Sequence, residues 1–267
     1  MAAEDLLTER RDGVLYLTLN RPEKLNALSE PMLAGLVVEL SEAARDHGVG
    51  AVVMRGAGRA FCAGGDITHM NERARQEAAR PAIEQQAARL RGLEESSLLL
   101  HEMPKVTIAA LNGPAVGAGL SLALACDLRI AADTARLGTG FARVGYSGDF
   151  GGSWTLTRLV GTGKARELYF LAEMIDAAQA LALGIVNRVV PATSLEAEVE
   201  ALACRIAGGP RVAYAYMKAN LNAALTSDLR ALLEREALGQ TLTGLSEDHR
   251  EAVRAFLEKR APRFTGR

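Results

Sequence analysis

The sequence predicts an α/β fold, with a sheet that is at least partly parallel followed by a helical C-terminal part. Two observations predict it. Short, continuously apolar runs alternate with helical segments through the first half, as in βα units whose strands are buried on both faces. From about residue 150 the apolar residues fall almost entirely at helical spacing.

Residues 13–19 (Gly-Val-Leu-Tyr-Leu-Thr-Leu) are rich in β-branched and aliphatic side chains and stop at Asn20-Arg21-Pro22, a turn signal. Residues 30–46 carry Met32, Leu33, Leu36, Val37 and Leu40 on one helical face. Ala51-Val52-Val53-Met54, Val106 to Leu111 and Leu128 to Ala132 predict three more buried strands. The polar, Ala/Arg/Glu/Gln-rich stretch 71–91 predicts a loop running into a helix. Beyond residue 150, helices are expected over 162–172, 176–183, 193–207, 210–225, 227–244 and 248–258, interrupted by a strand-like stretch at 185–190. We therefore expect a sheet-containing core followed by a helical C-terminal part.

Composition narrows the functional classes. Lys and Arg total 31 against 32 Asp and Glu, a net charge of −1. No basic surplus is available for nucleic acid, whose recognition rests on neutralising phosphates. Cys62, Cys126 and Cys204 are odd in number and widely spaced, so neither a disulfide framework nor a zinc site is expected. The N-terminal MAAEDLLTERRDG has no apolar signal core, and no apolar run reaches the ~20 residues a membrane span needs. A reducing, cytoplasmic compartment is the expectation.

Two glycine-rich turns carry the chemical signal: Gly56 to Asp66, and Asn112-Gly113-Pro114-Ala115-Val116-Gly117-Ala118-Gly119. Each follows a buried strand and precedes a helical pattern. Small residues there let a ligand approach the backbone, and the free N–H groups of a helix N-terminus stabilise developing negative charge. One N–H from each turn can form a single oxyanion hole; relief of crowding between strand and helix is the alternative. No P-loop, Rossmann glycine pattern or GxSxG elbow occurs. His47 and His249 sit among charges, whereas His69 follows the first turn and either lines a pocket or lies on the surface, the commoner role.

Asn20 to Leu28 (NRPEKLNAL), AFCAGGDI at 60–67, NGPAVGAG at 112–119 and ACDLRIAADTARLG at 125–138 resemble the enoyl-CoA hydratase/isomerase (crotonase) superfamily in order and spacing. The resemblance implies a spiral of ββα turns as the core over residues 1–193, a helical C-terminal oligomerisation (trimerisation) region over 194–267, and a homotrimer or dimer of trimers. It also implies an acyl-CoA substrate whose thioester oxygen meets two backbone N–H groups, mapped here to Ala63 and Ala118. Arg21, Lys24 and Leu25 match positions near the CoA nucleotide. Ala63, Gly64, Gly65, Asp66, Ile67, Gly117 and Phe141 match the rest of the substrate groove. No separate cofactor or metal is implied, because coenzyme A is part of the substrate.

The chain also departs from that pattern. Hydratases of the family use two glutamates around the double bond; Ser121 and Phe141 stand at those positions. The acid left nearby is Asp149, eight residues beyond Phe141, where some relatives use an aspartate to move a proton in dienoyl-CoA and ring-opening isomerases, or as the nucleophile in an aryl-CoA dehalogenase. A single carboxylate suits isomerisation, since one base can take a proton from one carbon and return it to another. Asp149 could instead cap the helix beginning near Gly151. Glu94 and Glu95 are either a second acid or a solvated helix face. The expected activity is isomerisation of an enoyl-, dienoyl- or ring-type acyl-CoA. The alternatives are an atypical hydratase, a thioesterase, or an acyl-CoA binding protein without catalysis.

Overall fold

The computed structural model describes residues 4–67 and 82–267. His69 and residues 71–81 of the polar stretch lie outside the described residues. A six-stranded sheet runs in the order β1 (Leu6–Arg11), β2 (Val14–Leu19), β3 (Ala51–Gly56), β4 (Val106–Leu111), β6 (Leu128–Ala132), β9 (Arg188–Val190). Only the β1–β2 pair is antiparallel; the other four pairings are parallel. A small second sheet joins β5 (Ala115–Val116), β7 (Arg136–Gly138) and β8 (Ile175–Asp176).

The expected strands therefore form, and β1 in the main sheet and β5, β7 and β8 of the small sheet are additions to them. Strand β1 reads LLTERR, and its four central residues are exposed. No apolar alternation marks it, and it exists because it pairs with β2 at the sheet edge. Its charges also discourage a second chain from extending the sheet there.

Alternation along the strands gives the sheet two apolar faces. Leu15, Leu17, Leu19, Val52, Met54, Ala109 and Leu111 join the larger core with α1 (Glu30–Arg45), α2 (Ile83–Glu102) and α3 (Ala118–Ala125). Val14, Tyr16, Ala51, Val53, Ile108 and Ala110 turn to the opposite face, beneath α6 (Leu195–Ala207). Leu195, Val199, Leu202, Ala203 and Ile206 of α6 are buried in that second core. Helix α6 thus seals the sheet, although the sequence grouped it with the oligomerisation region.

Helices α4 (Gly152–Leu171) and α5 (Ala177–Ala182) add Leu156, Ala165, Leu168, Ala177 and Ala180 to the larger core. Helix α4 is broken at Gly161 (φ 77°, ψ 164°), which explains why only its second half read as helical in the sequence. After α6 come α7 (Arg211–Ala224), α8 (Leu229–Gly244) and α9 (Glu247–Leu257), close to the expected bounds.

Helix α7 is tied to the core by a charge. Lys218, only 6% exposed, donates to Asp127 Oδ2 at 2.8 Å and to the carbonyls of Leu100 (2.8 Å) and Lys105 (3.0 Å). The same Asp127 oxygen accepts the Thr107 N–H at 2.8 Å. Lys218→Met is expected to cost about 2–4 kcal/mol, because it removes the cation from a partly buried carboxylate and the donor from two carbonyls. Urea titration checks this; a loss under 0.5 kcal/mol, roughly the scale of a surface substitution, would contradict it.

Candidate active site

Three backbone segments lie side by side. Cys62 and Ala115 form a parallel bridge, and the Val116 N–H donates to Cys62 O at 2.9 Å. Leu28 bridges Gly65, with the Leu28 N–H donating to Gly64 O at 2.8 Å. The two glycine turns and the 20–28 turn are therefore stitched into one unit. Gly64 must be glycine: its φ is +90°, and a Cβ would stand 2.8 Å from Val116 O.

The Ala63 N–H donates to Leu25 O at 2.9 Å. It is committed to holding the turns together, so the donor role assigned to Ala63 from the sequence does not fit. The Leu28–Gly65 bridge uses the Gly64 carbonyl, which leaves the Gly65 N–H pointing away from the Leu28 segment. Neither that N–H nor the Ala118 N–H has an acceptor among the described residues. The position a Gly64 Cβ would take lies 3.6 Å from Ala118 N, so the two turns approach each other closely at this point.

Ala118 is the first residue of α3, whose eight residues are all buried. Its N–H is one of the four that a helix leaves without an intrahelical partner. The opposite end of α3 meets Arg129, 5% exposed, which donates to the carbonyls of Leu124 (3.5 Å) and Ile185 (2.6 Å) and also to Cys126 O. A guanidinium there complements the negative end of the helix and leaves its positive end for a ligand.

The residues matched to CoA binding cluster beside this unit. Arg21 donates to Ala27 O at 2.8 Å and to Asp66 Oδ2 at 2.9 Å, and Lys24 reaches the same oxygen at 3.1 Å. The Arg21 side chain is 12% exposed and the Lys24 side chain 45%. Lys24 is thus the cation open to a phosphate, and Arg21 mainly braces the loop. Leu25 adopts φ +52° and Ile67 is exposed. Asn26, which the sequence reading passed over, is fully buried; it accepts the Arg21 N–H at 2.9 Å and donates to Ala57 O and Ala60 O.

Asp149 sits in a turn where Gly148, Phe150 and Gly151 all have positive φ. Gly151, not Asp149, is the N-cap of α4, and no side chain caps that helix. The capping alternative is therefore removed. Asp149 Oδ1 is buried without a hydrogen-bond partner. Burial, then the nearby negative charge of Glu94, pushes the carboxyl up to about 6.

The surroundings of Asp149 are apolar or hydroxylic. Phe141 stacks on Tyr169 with 5.9 Å between centroids, and its ring lies 3.8 Å from where a Gly117 Cβ would stand. A Cβ on Gly152 would lie 2.2 Å from Ser121 Oγ and 2.8 Å from the Tyr169 hydroxyl, so this glycine makes room for two hydroxyls. Burial and the Asp149 charge push the Tyr169 phenol up to about 12. Ser121, one turn into α3, donates to Gly117 O at 3.3 Å. Aspartate, hydroxyls and aromatic wall thus share the neighbourhood of the α3 N-terminus.

Glu94 is half-buried rather than solvated, and its Oε1 accepts the Phe150 N–H at 3.0 Å. Glu95 faces outward and pairs with Arg91 at 3.2 Å. Tyr169 carried no sequence signal, because an aromatic at helical spacing reads as ordinary core. No group of acidic, His or Cys side chains suited to a metal occurs among the described residues, where no helix is long and apolar enough to cross a membrane.

The enoyl-CoA hydratase/isomerase family model matches residues 9–267. The chain is 37% identical over 264 residues to the 1,2-epoxyphenylacetyl-CoA isomerase of Escherichia coli K12, covering 99% of both proteins. It is 35% identical to the crotonyl-CoA hydratase of Syntrophomonas wolfei, again covering 99% of each. A crystal structure of an enoyl-CoA hydratase from Polaromonas sp. JS666 superposes with a TM-score of 0.90 at 34% identity, covering 97% of this chain and 98% of that one. The fold is that of the crotonases, and the chain belongs to the enoyl-CoA hydratase/isomerase family.

Proposed function

We propose that this protein isomerises an unsaturated or ring-type acyl-CoA, with Asp149 moving the proton. The observation that carries the reading is the Asp149 carboxylate: buried, unpartnered at Oδ1, not used as a cap, and with raised proton affinity. A carboxylate titrating near 6 is ionised at neutral pH yet a stronger base than an ordinary aspartate. It takes a proton from the acyl chain, and the charge moves onto the thioester oxygen. The Gly65 and Ala118 N–H groups receive that charge, with Gly65 replacing Ala63 in the oxyanion hole. The carboxylic acid then returns the proton to a different carbon. Every atom is accounted for, so coenzyme A enters only as part of the substrate.

Ser121 and Phe141 supply no carboxylate to activate water, which favours isomerisation over hydration. The test is to incubate 2-enoyl- and 3-enoyl-CoA esters in D2O and follow them by NMR. Double-bond migration with deuterium at C2 or C4 is expected. A 3-hydroxyacyl-CoA product would establish the hydratase, release of free CoA the thioesterase, and binding without exchange a protein that only holds its ligand.

Two further expectations belong to this reading. Calorimetry should show an acyl-CoA binding and its free acid not, because Lys24 and the backbone donors act on the phosphates and thioester; equal affinities would remove the oxyanion assignment. Leu229, Leu233, Leu245, Phe256 and Leu257 are all more than half exposed along α8 and α9. Such apolar surface supports a homotrimer or dimer of trimers. Sedimentation of a ~28 kDa species, the mass of one chain, at micromolar concentration would contradict it. The three unpaired cysteines suit a cytoplasmic setting.

A further inference from the structure

We propose that Glu94 is a positioning residue for Asp149: it fixes the Asp149 turn through the Phe150 N–H and sets a second negative charge beside the carboxylate that moves the proton. The proposal rests on the reading of Asp149 given above. It concerns a residue from a different helix, 56 positions away from the bond it accepts.

The turn needs an external hold. Gly148, Phe150 and Gly151 have φ of +111°, +50° and +71°, and left-handed backbone at a non-glycine residue costs of order 1 kcal/mol. No side chain from α4 caps this end of the helix. The bond from the Phe150 N–H to Glu94 Oε1 at 3.0 Å reaches the peptide group directly after Asp149. A carboxylate acceptor makes that bond charge-assisted and so stronger than a neutral one. Helix α2, buried through Ser96, Ser97 and Leu100, supplies a rigid base for it.

Electrostatics gives Glu94 its second effect. Among the described residues, the groups facing Asp149 are Glu94 from α2 and Tyr169 from α4, with the Ser121 hydroxyl from α3 and the Phe141 ring completing the wall. No cation is among them, and among the described residues none pairs with Glu94. Without a cation beside them, the charge of Glu94 disfavours ionisation of Asp149. The charge of Glu94 thereby adds to burial in making Asp149 the stronger base.

The two effects separate in two variants. Glu94→Gln keeps an oxygen to accept the Phe150 N–H and loses the charge; Glu94→Ala loses both. Carbon-13 NMR titration of the aspartate side chains, with Asp149 assigned by its absence in Asp149→Asn, reads the charge effect without needing a substrate. Glu94→Gln is expected to lower the Asp149 midpoint by about one pH unit, a tenfold change in proton affinity. The acid limb of the exchange–pH profile should move down with it. Glu94→Ala should lower kcat for exchange a further tenfold or more, as the turn loosens, with KM for acyl-CoA little changed. An Asp149 midpoint unchanged in Glu94→Gln would overturn the proposal, whether or not the alanine variant folds. If Asp149→Asn retained full exchange, the proton-moving role would fall instead, and the titration would still decide whether the two carboxylates are coupled.

Discussion

Asp149→Asn is expected to slow proton exchange on a converted acyl-CoA by ~10²–10⁴-fold, the range that a general base contributes, with acyl-CoA affinity nearly intact. The amide keeps the size of the carboxyl but cannot take a proton at neutral pH. The same substitution should stabilise the fold. The folded carboxyl titrates at about 6 against an ordinary 3.8, so the folded state binds the proton more tightly than the unfolded one. Stability of the parent therefore falls as pH rises from about 4 to 6, and the cost persists above that window. The variant has no such loss. It should match the parent near pH 3 and exceed it by about 1–3 kcal/mol at pH 7, a gain of several degrees in melting temperature. Parent-like turnover by the variant would end the catalytic assignment. A pH-independent stability difference would show that the carboxylate is not strained as the structure indicates.

Ala118→Pro is expected to reduce turnover by ~10²–10³-fold, the effect of deleting one oxyanion donor. Ala118 is the first residue of α3, where proline's fixed φ is compatible with the helix and its missing N–H breaks no intrahelical bond. The preceding residue is Gly117, which has no Cβ to clash with the proline ring. Affinity for free CoA should stay the same, because CoA without an acyl group has no thioester oxygen. Ala118→Gly, which keeps the N–H, is the control and should remain within a few-fold of the parent. Full activity in a folded Ala118→Pro protein would exclude this N–H from the reaction.

Most strands and helices were legible because burial leaves a periodic trace. Val52 and Met54 face one core while Ala51 and Val53 face the other, so β3 reads as an unbroken apolar run. Strand β1 left no such trace, since its stability comes from pairing with β2 rather than from its own side chains. The first half of α4 was hidden for a related reason: its glycines and its break at Gly161 obscure the helical period.

The site was legible in its parts and not in its wiring. The glycine turns and Asp149 are visible in the residue order, as are Ser121 and Phe141. The sequence could not show that the Ala63 N–H is spent on Leu25 O, because hydrogen-bond direction depends on how three distant segments align. Nor could it show that Glu94 turns inward while its neighbour Glu95 turns out; adjacent helix positions differ by about 100°, and only the packing of α2 decides which one meets the Asp149 turn. The sequence by itself thus determined the family and the α/β architecture, because these rest on local pattern and residue type. Only the tertiary structure decided which N–H groups are free, which carboxylate is strained and what stands beside it, because those properties arise from contacts between residues far apart in the chain.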